Sequence, residues 1–582
     1  MGPSSVGKCE FDVSRSSHFG LRALTKASAM HGVALLALLS AFGDMAHSAK
    51  LSDKEHTRIE EARPADVPSD ATLEAEGAVI GNIEIEVRNI FDENDPRERS
   101  ALFRAADHVH VRTRRSAVRA QLLFKSGDRY LARKLAETER VLRLLSYVYD
   151  ARIVPVHYAD GKVDIKVVTK DVWTLSPGIS FGRAGGTNAT NFNLQDSNFL
   201  GLGKTLQVSR SNDVDRTSNS IAWADPNILG SRWTSALEYD NSSDGGARTV
   251  QIARPFYSFD APWTAKVTAV QFDRTISRYN LGRIVDQIHD DQSSYELSGG
   301  LSTGLVDGWT RRLLFGMRYD RNIFAQAPLS TLTASQLPGD RTLSYPFVGF
   351  DIVQDRYKKA GDENQIGRTE DLYFGTEVTG EIGVSNGVFG ADRGAYLLSA
   401  GVLHGFEISE YQQLFYTSNF STRIENGHLR NLIVDNGAKY YWKWRPDWLL
   451  YAALSTTVTD ALDPELQLLL GGDNGLRGYP LRYESGTSRA FFTLEQRVFT
   501  DWYPFRLVRV GAAVFGDVGR TWGRGVIGNS DPGLLRDVGF GLRLGNTRSG
   551  LGNVLHIDLA FPLTNTVGIR KFQFLVQTYE TF

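Results

Sequence analysis

Arg477 stands in the run Leu470-Gly471-Gly472-Asp473-Asn474-Gly475-Leu476-Arg477-Gly478-Tyr479. Two later stretches, Leu494-Glu495-Gln496-Arg497 and Phe515-Gly516-Asp517-Val518-Gly519, each supply one acid. Arginine offers a planar fork of donors that a carboxylate accepts bidentately through charge-assisted bonds. If the two stretches are strands whose acids share an inward face, Glu495 and Asp517 can receive Arg477 inside a closed structure. If they are not, the run is a solvated loop with unrelated charges. Gly475 and Gly478 would let the backbone turn tightly at the tip. The chemistry on offer is a non-covalent latch.

Covalent chemistry finds less support. His404 and His556 stand without clustered partners, and no Gly-x-Ser-x-Gly nucleophile elbow is expected. No Cys or His cluster has metal-ligand spacing, and no glycine-rich phosphate loop follows a strand and opens a helix. The expectation is a protein that is not an enzyme and needs no cofactor or metal.

The elements that must position the latch repeat from Leu175 to Phe582 as segments of roughly ten residues with alternating polarity, the pattern of transmembrane strands with one face on lipid and one on a polar lumen. Val538, Phe540, Leu542 and Leu544 alternate with Asp537, Gly539, Gly541, Arg543 and Gly545. Leu555, Ile557, Leu559 and Phe561 alternate with His556 and Asp558, and Val508, Val510, Ala512 and Val514 with Arg509, Gly511 and Asp517. Charges thus keep to one parity. Short aromatic turns, such as Phe199-Leu200-Gly201-Leu202-Gly203, Arg254-Pro255-Phe256, Asp307-Gly308-Trp309, Arg445-Pro446-Asp447-Trp448 and Trp502-Tyr503-Pro504, suit one membrane boundary. Longer polar connections, Ile276 to Asp291, Ala325 to Asp340, Asp463 to Ser485 and Trp522 to Leu534, suit the other side. The pattern predicts about twenty strands, five of them after the Asp463 to Ser485 loop.

A smaller unit precedes the barrel. Ile83, Ile85 and Val87 alternate with Glu84, Glu86 and Arg88 as a strand. Val111, Val118 and Leu122 recur at helical spacing, Gly127-Asp128 breaks the chain, and Leu131, Leu135, Leu142 and Leu145 share a second helical face. Two strands follow, Val154 to Tyr158 and Val163 to Val167, with Asp160-Gly161 as their hairpin turn. Residues 49–77 are polar and aperiodic and are expected to be a mobile linker.

The apolar run Val33 to Phe42, preceded by Arg15, Arg22 and Lys26 and followed by Ala46-His47-Ser48, has the pattern of a secretory signal peptide over residues 1–48 with cleavage near Ser48. It is roughly half the ~20 residues a membrane-spanning helix needs. Cys9, the single cysteine, precedes that point, so the mature chain would lack disulfides. With 65 basic against 67 acidic residues and a net charge of -2, the chain has no excess of cations with which to neutralise phosphates, so no nucleic-acid partner is expected. Its 56 glycines, 11% aromatic content and negative mean hydropathy suit many short strands with polar loops.

Thr113-Arg114, Gly127-Asp128-Arg129-Tyr130, Leu142-Arg143-Leu144-Leu145-Ser146-Tyr147 and the stretch Val167 to Trp173 make residues 78–173 resemble a POTRA domain. The latch stretches resemble the hallmark of the BamA/TamA-like outer-membrane superfamily, and Asn198-Phe199-Leu200-Gly201-Leu202-Gly203 resembles the turn after that family's second strand. The resemblance implies a periplasmic POTRA-like domain followed by an outer-membrane barrel over residues 174–582. It implies that Arg477, Gly478 and Tyr479 form the tip of a loop folded into the lumen, held by Glu495 and Asp517. It implies a terminal Phe582 read by the barrel assembly machinery, and a seam between the strand around Ser176 to Gly182 and the last strand that opens to pair with an incoming strand. The implied partners are outer-membrane lipid and lipopolysaccharide, unfolded or secreted protein clients reached through the POTRA-like domain, and that machinery. Two departures stand out: one POTRA-like domain where relatives carry several, and about twenty strands against the family's sixteen. A passive channel or surface antigen on the same fold is the alternative.

Overall fold

The computed structural model describes residues 59, 61–91, 96–98, 100–361, 363, 369–523, 531–546, 548, 554–564 and 569–579. The expected signal peptide, Cys9 and Phe582 lie outside the described residues.

The N-terminal unit is a three-stranded sheet under helices. Strand β1 (Val79–Arg88) runs parallel to β3 (Lys162–Asp171), and β2 (Val148–Ala159) pairs antiparallel with β3, giving the order β1-β3-β2. Asp160 and Gly161 take positive φ, 51° and 71°, the twist a two-residue hairpin requires. Among the described residues four α-helices accompany the sheet: α1 (Asp70–Ala75), α2 (Ala101–Val109), α3 (Arg115–Gln121) and α4 (Ala132–Arg143). Leu135, Leu142 and Leu145 enter one core with Ile80, Ile83, Ile85, Val163, Ile165 and Val167.

Three expectations need correction here. Residues 61–77 are ordered. Helix α1 is capped by the Ser69 side chain and buries Leu73, and Glu61 bonds Arg88 at 2.8 Å and Lys166 at 2.6 Å. A six-residue helix with one buried apolar side chain leaves no period to read. Helix α2 is an element the sequence pattern does not announce. Val111 lies outside α3 and is exposed, so the apparent helical spacing with Val118 crosses a break in the helix.

From Leu175 onward the chain closes an antiparallel barrel of twenty strands, the count given by the alternation and not the sixteen that the resemblance implied. Outward parity is apolar and exposed, inward parity polar and buried. On one of these strands Val538, Phe540 and Leu542 are exposed while Asp537 and Arg543 are buried. Among the described residues no helix is long and apolar enough to cross a membrane. The short aromatic turns each join an even-numbered strand to the next odd one, so all lie at one end of the barrel. That end, the near end, carries the N-terminal unit. On the outer face there, Phe199 packs edge-on to Trp223 and Trp233 to Trp263, both pairs at 6.2 Å.

The wall is uneven. The first six strands, Leu175–Ala184 through Gly245–Arg254, have eight to ten residues, enough to cross. The eighth, Arg283–Val306, has 24 and projects past the far end. Ile276 to Asp291, expected as a loop, is therefore mostly strand. Thr275↔His289 through Asn280↔Arg283 continue the ladder. Within the short side, the first and twentieth strands (Leu175–Ala184 and Gln573–Tyr579) close the barrel, in antiparallel register at Val576↔Arg183.

Candidate functional site

The connection between the fifteenth and sixteenth strands (Trp448–Asp460 and Ser488–Phe499) folds into the lumen, closed at its base by a short ladder of Leu468–Leu470 with Glu484–Gly486. As expected, five strands follow it. Its tip carries Arg477, which is 7% exposed and engages acceptors with all three guanidinium nitrogens. Nε and Nη2 grip Asp517 at 2.7 Å each, Nη1 donates to Glu495 at 2.5 Å, and Nη2 also donates to Thr493 at 3.1 Å. The guanidinium lies 3.4 Å above the centre of the Phe515 ring. Thr493, Glu495, Phe515 and Asp517 are all on inward parity of the sixteenth strand and the seventeenth (Val508–Trp522), which is why one side chain reaches all of them.

The neighbouring residues explain the tip's sequence. A β-carbon on Gly478 would lie 2.6 Å from that of Asp537, so only glycine lets the loop lie flat on the eighteenth strand (Leu535–Asn546). Tyr479 is fully buried. Its hydroxyl donates to the Arg536 carbonyl at 2.8 Å and accepts from the Arg536 amide at 3.1 Å. Leu476 and Tyr479 pack with Leu470, Tyr483 and Leu535.

The structure thus brings together Arg477, Gly478, Tyr479, Glu495 and Asp517, and adds residues to the set. Asp558 stands 3.5 Å from Arg477, Arg543 bonds Asp558, and Arg497 donates to Glu495 at 2.9 Å. Arg543 and Asp558 are legible in the sequence as inward charges; their meeting with Arg477 depends on barrel closure. Thr493 and Phe515 carry no signal beyond parity. Removing one member of a buried charge set leaves the rest uncompensated at about 3 to 5 kcal/mol.

Beyond its tip the loop spans the far mouth. Arg482 grips Asp215, in the turn between the third and fourth strands (Thr205–Asn212 and Thr217–Asp225), at 2.7 Å twice, and Gln467 exchanges two bonds with the Tyr279 backbone. Asp463 takes Arg423 bidentately at 3.0 and 2.8 Å. Leu481 lies against Gly185, in the turn beside the seam, where a β-carbon would fall 2.0 Å from the Leu481 nitrogen.

The near mouth is covered by the N-terminal unit. Asn198, in the turn after the second strand (Thr187–Asp196), donates to Thr113 at 2.8 Å. The Trp173 amide donates to the Arg548 carbonyl at 2.7 Å and ties the end of the unit to the turn after the eighteenth strand, where Arg548 itself donates to the Ile90 carbonyl at 3.0 Å. Helix α4 reaches the opposite rim. Arg133 meets Asp260 at 2.9 Å and Arg140 meets Asp355 at 3.0 Å. Arg143 grips Asp371, on a small hairpin (Tyr357–Gly361 with Thr369–Tyr373) that hangs below the wall, at 2.7 and 2.8 Å. Glu137 accepts the Phe259 amide at 2.8 Å, and burial pushes its carboxyl up to about 7 against the pull of that amide and of Arg140.

The two histidines weighed for catalysis stay apart. His404 bonds Thr376 at 2.7 Å and packs edge-on to Phe406, and His556 sits on inward parity near Arg543. One expectation is corrected: Gly300-Leu301-Ser302-Thr303-Gly304 does have Gly-x-Ser-x-Gly spacing. It lies within the eighth strand, where Ser302 accepts the Gly304 amide at 3.1 Å, and not on a strand-to-helix turn, so it forms no elbow.

No family model and no curated protein matches the chain. Among solved structures it is similar to BamA from Haemophilus ducreyi lacking POTRA domains 1-3, at 13% identity and a TM-score of 0.39, over 86% of this chain and 85% of that one. It is similar to CdiB from Acinetobacter baumannii at 12% identity and a TM-score of 0.40, over 95% and 97%. The FrpB iron transporter from Neisseria meningitidis gives 8% and 0.38, over 86% and 94%.

Proposed function

We propose that the chain is an outer-membrane barrel of the BamA/TamA-like kind, with its near end and N-terminal unit in the periplasm, that inserts proteins into the outer membrane or moves them across it. The work is non-covalent. The observation that carries this reading is the latched lumen loop, whose Arg477 ties the sixteenth to nineteenth strands together beside the junction at which the first and last strands close the barrel. If that junction opens, the freed backbone groups at its edges would template an incoming strand. The Arg477 set holds the lumen loop and the wall next to the seam, so opening is confined to one place. The POTRA-like unit would deliver clients by the same strand addition.

The test is a disulfide across the seam, from Arg183→Cys and Val576→Cys in a chain with Cys9 replaced. Oxidation is expected to stop client assembly or secretion, and reductant to restore it. Unchanged client levels under full cross-linking would exclude seam opening. The second reading, a passive barrel or surface antigen, is favoured by the cover at both mouths. Depletion that leaves the outer-membrane and surface protein profiles intact, together with steady conductance in planar bilayers, would support it.

A further inference from the structure

Helix α3 and the residues before it lie directly against two near-end turns of the short wall. The Arg114 amide donates to the Gly201 carbonyl at 2.9 Å, its Nε donates to the Leu200 carbonyl at 3.1 Å, and Gln121 bonds Asn227 in the turn after the fourth strand. The two turns repeat one design, Asn198-Phe199-Leu200-Gly201 and Asn227-Ile228-Leu229-Gly230. In each the leucine takes a left-handed conformation, φ 57° at Leu200 and 51° at Leu229, which strains a side chain other than glycine. In each the leucine also points away from protein: Leu229 is 98% exposed and Leu200 52%. A strained backbone that presents an apolar side chain to water twice over makes physical sense if the surroundings are not water. Phe199 of the first turn already packs on Trp223 of the outer face.

Against the first of these turns, facing Gly201, stands Val111, 51% exposed, and two residues before it at the end of α2 is Val109, 66% exposed. Around them are four exposed arginines, Arg112, Arg114, Arg115 and Arg119, none with a carboxylate partner among the described residues. Between Arg104 and Lys125 the one acid is Asp107. In a chain with a net charge of -2 this is a local excess of cations, set where the apolar belt of the barrel ends.

We infer that this face docks on the bilayer surface at the near end and binds anionic phospholipid headgroups, with Arg112, Arg115 and Arg119 reaching phosphates and Leu200, Leu229, Val109 and Val111 dipping below them. It would hold the N-terminal unit against the leaflet beside the short wall. The inference needs the barrel's position in a bilayer and does not rest on transport.

The whole chain, with Cys9 replaced and an environment-sensitive dye on Ser116→Cys, is placed in phosphatidylethanolamine nanodiscs with or without phosphatidylglycerol, and quenching by headgroup-linked nitroxide is read. A second dye on the outward Val514→Cys, quenched by acyl-chain nitroxide, reports bilayer placement independently. Quenching at Ser116→Cys is expected to require phosphatidylglycerol and to weaken in high salt. Each of Arg112→Gln, Arg115→Gln and Arg119→Gln should lower the affinity by about fivefold. Leu229→Ser should weaken it with the charges intact. Equal quenching without the anionic lipid, or in the triple glutamine variant, would overturn the inference, as would protection of the dye by an acidic peptide with no response to lipid. Failure of the Val514→Cys control would instead overturn the placement of the barrel.

Discussion

At the far end the barrel is covered by its own loop, whose Arg477 has every guanidinium nitrogen on a buried acceptor. At the near end it is covered by a separately folded unit, where pairs such as Arg133 with Asp260, 37% and 29% exposed, still touch water. The first cover shares its charges with the wall: Glu495, Asp517 and Asp558 are strand residues that would be buried and without their common cation if it left. The second cover mixes solvent-touched rim contacts such as Arg133 with Asp260 with buried ones such as Arg143 with Asp371 and Asn198 with Thr113, but among the described residues none of its cations is shared by three buried carboxylates. The difference teaches that burial of the partners, more than the number of ion pairs, decides whether a cover is part of the fold or can leave it.

The largest effect expected is that of Arg477→Ala, which removes the common partner of three carboxylates and destabilises the barrel by about 3 to 5 kcal/mol. Heat-modified gel migration and the urea midpoint measure it. The comparison breaks if the midpoint is unchanged, or if docking of the N-terminal unit is lost to the same degree. Asp371→Asn should cost the near cover about 2 kcal/mol, since a bidentate charge-assisted pair becomes a single neutral one. Protease sensitivity of the connection after Trp173 should rise while the barrel's midpoint stays fixed; a shift in that midpoint would show that the unit is integral to the wall.

The smallest effect concerns pH. Glu137 has its carboxyl raised to about 7 in the docked state by burial, with Arg140 favouring and Asp355 and Asp260 opposing its charge. If undocking returns it to 4.5, the docked state holds the extra proton between these values. Docking is then strongest below pH 4.5, weakens as pH rises to about 7, and is level above that. From pH 6 to pH 7 the docking constant should fall about fivefold, read by hydrogen exchange at the Phe259 amide. Glu137→Gln should abolish the slope, and a slope that persists in it would assign the effect to another group.

Much of this fold is legible because a strand writes its environment into every second residue. The parity of Val538, Phe540 and Leu542 against Asp537 and Arg543 requires no knowledge of neighbours, and it gives the strand count that the family default does not. Where the signal is short or crosses a break it fails. Leu73 alone cannot announce α1, and Val111 matches a helical period across a non-helical turn. At Ile276 to Asp291, polar residues that pair above the membrane look the same as residues in a loop. The latch is legible in part. Arg477, Glu495 and Asp517 stand out by type and spacing, whereas Thr493 and Phe515 are ordinary strand residues until a cation is placed between them.

The sequence by itself determined which side chains face lipid, which face the lumen, and where most turns fall, since those depend on a period of two and on local backbone preferences. Only the tertiary structure decided that Asp558 and Arg543 join the Arg477 set, that the first and last strands close on each other, and that α4 closes the near mouth. Each of these is a meeting of residues far apart in the chain, and such meetings are fixed by the closure of the barrel and not by any pattern within a segment.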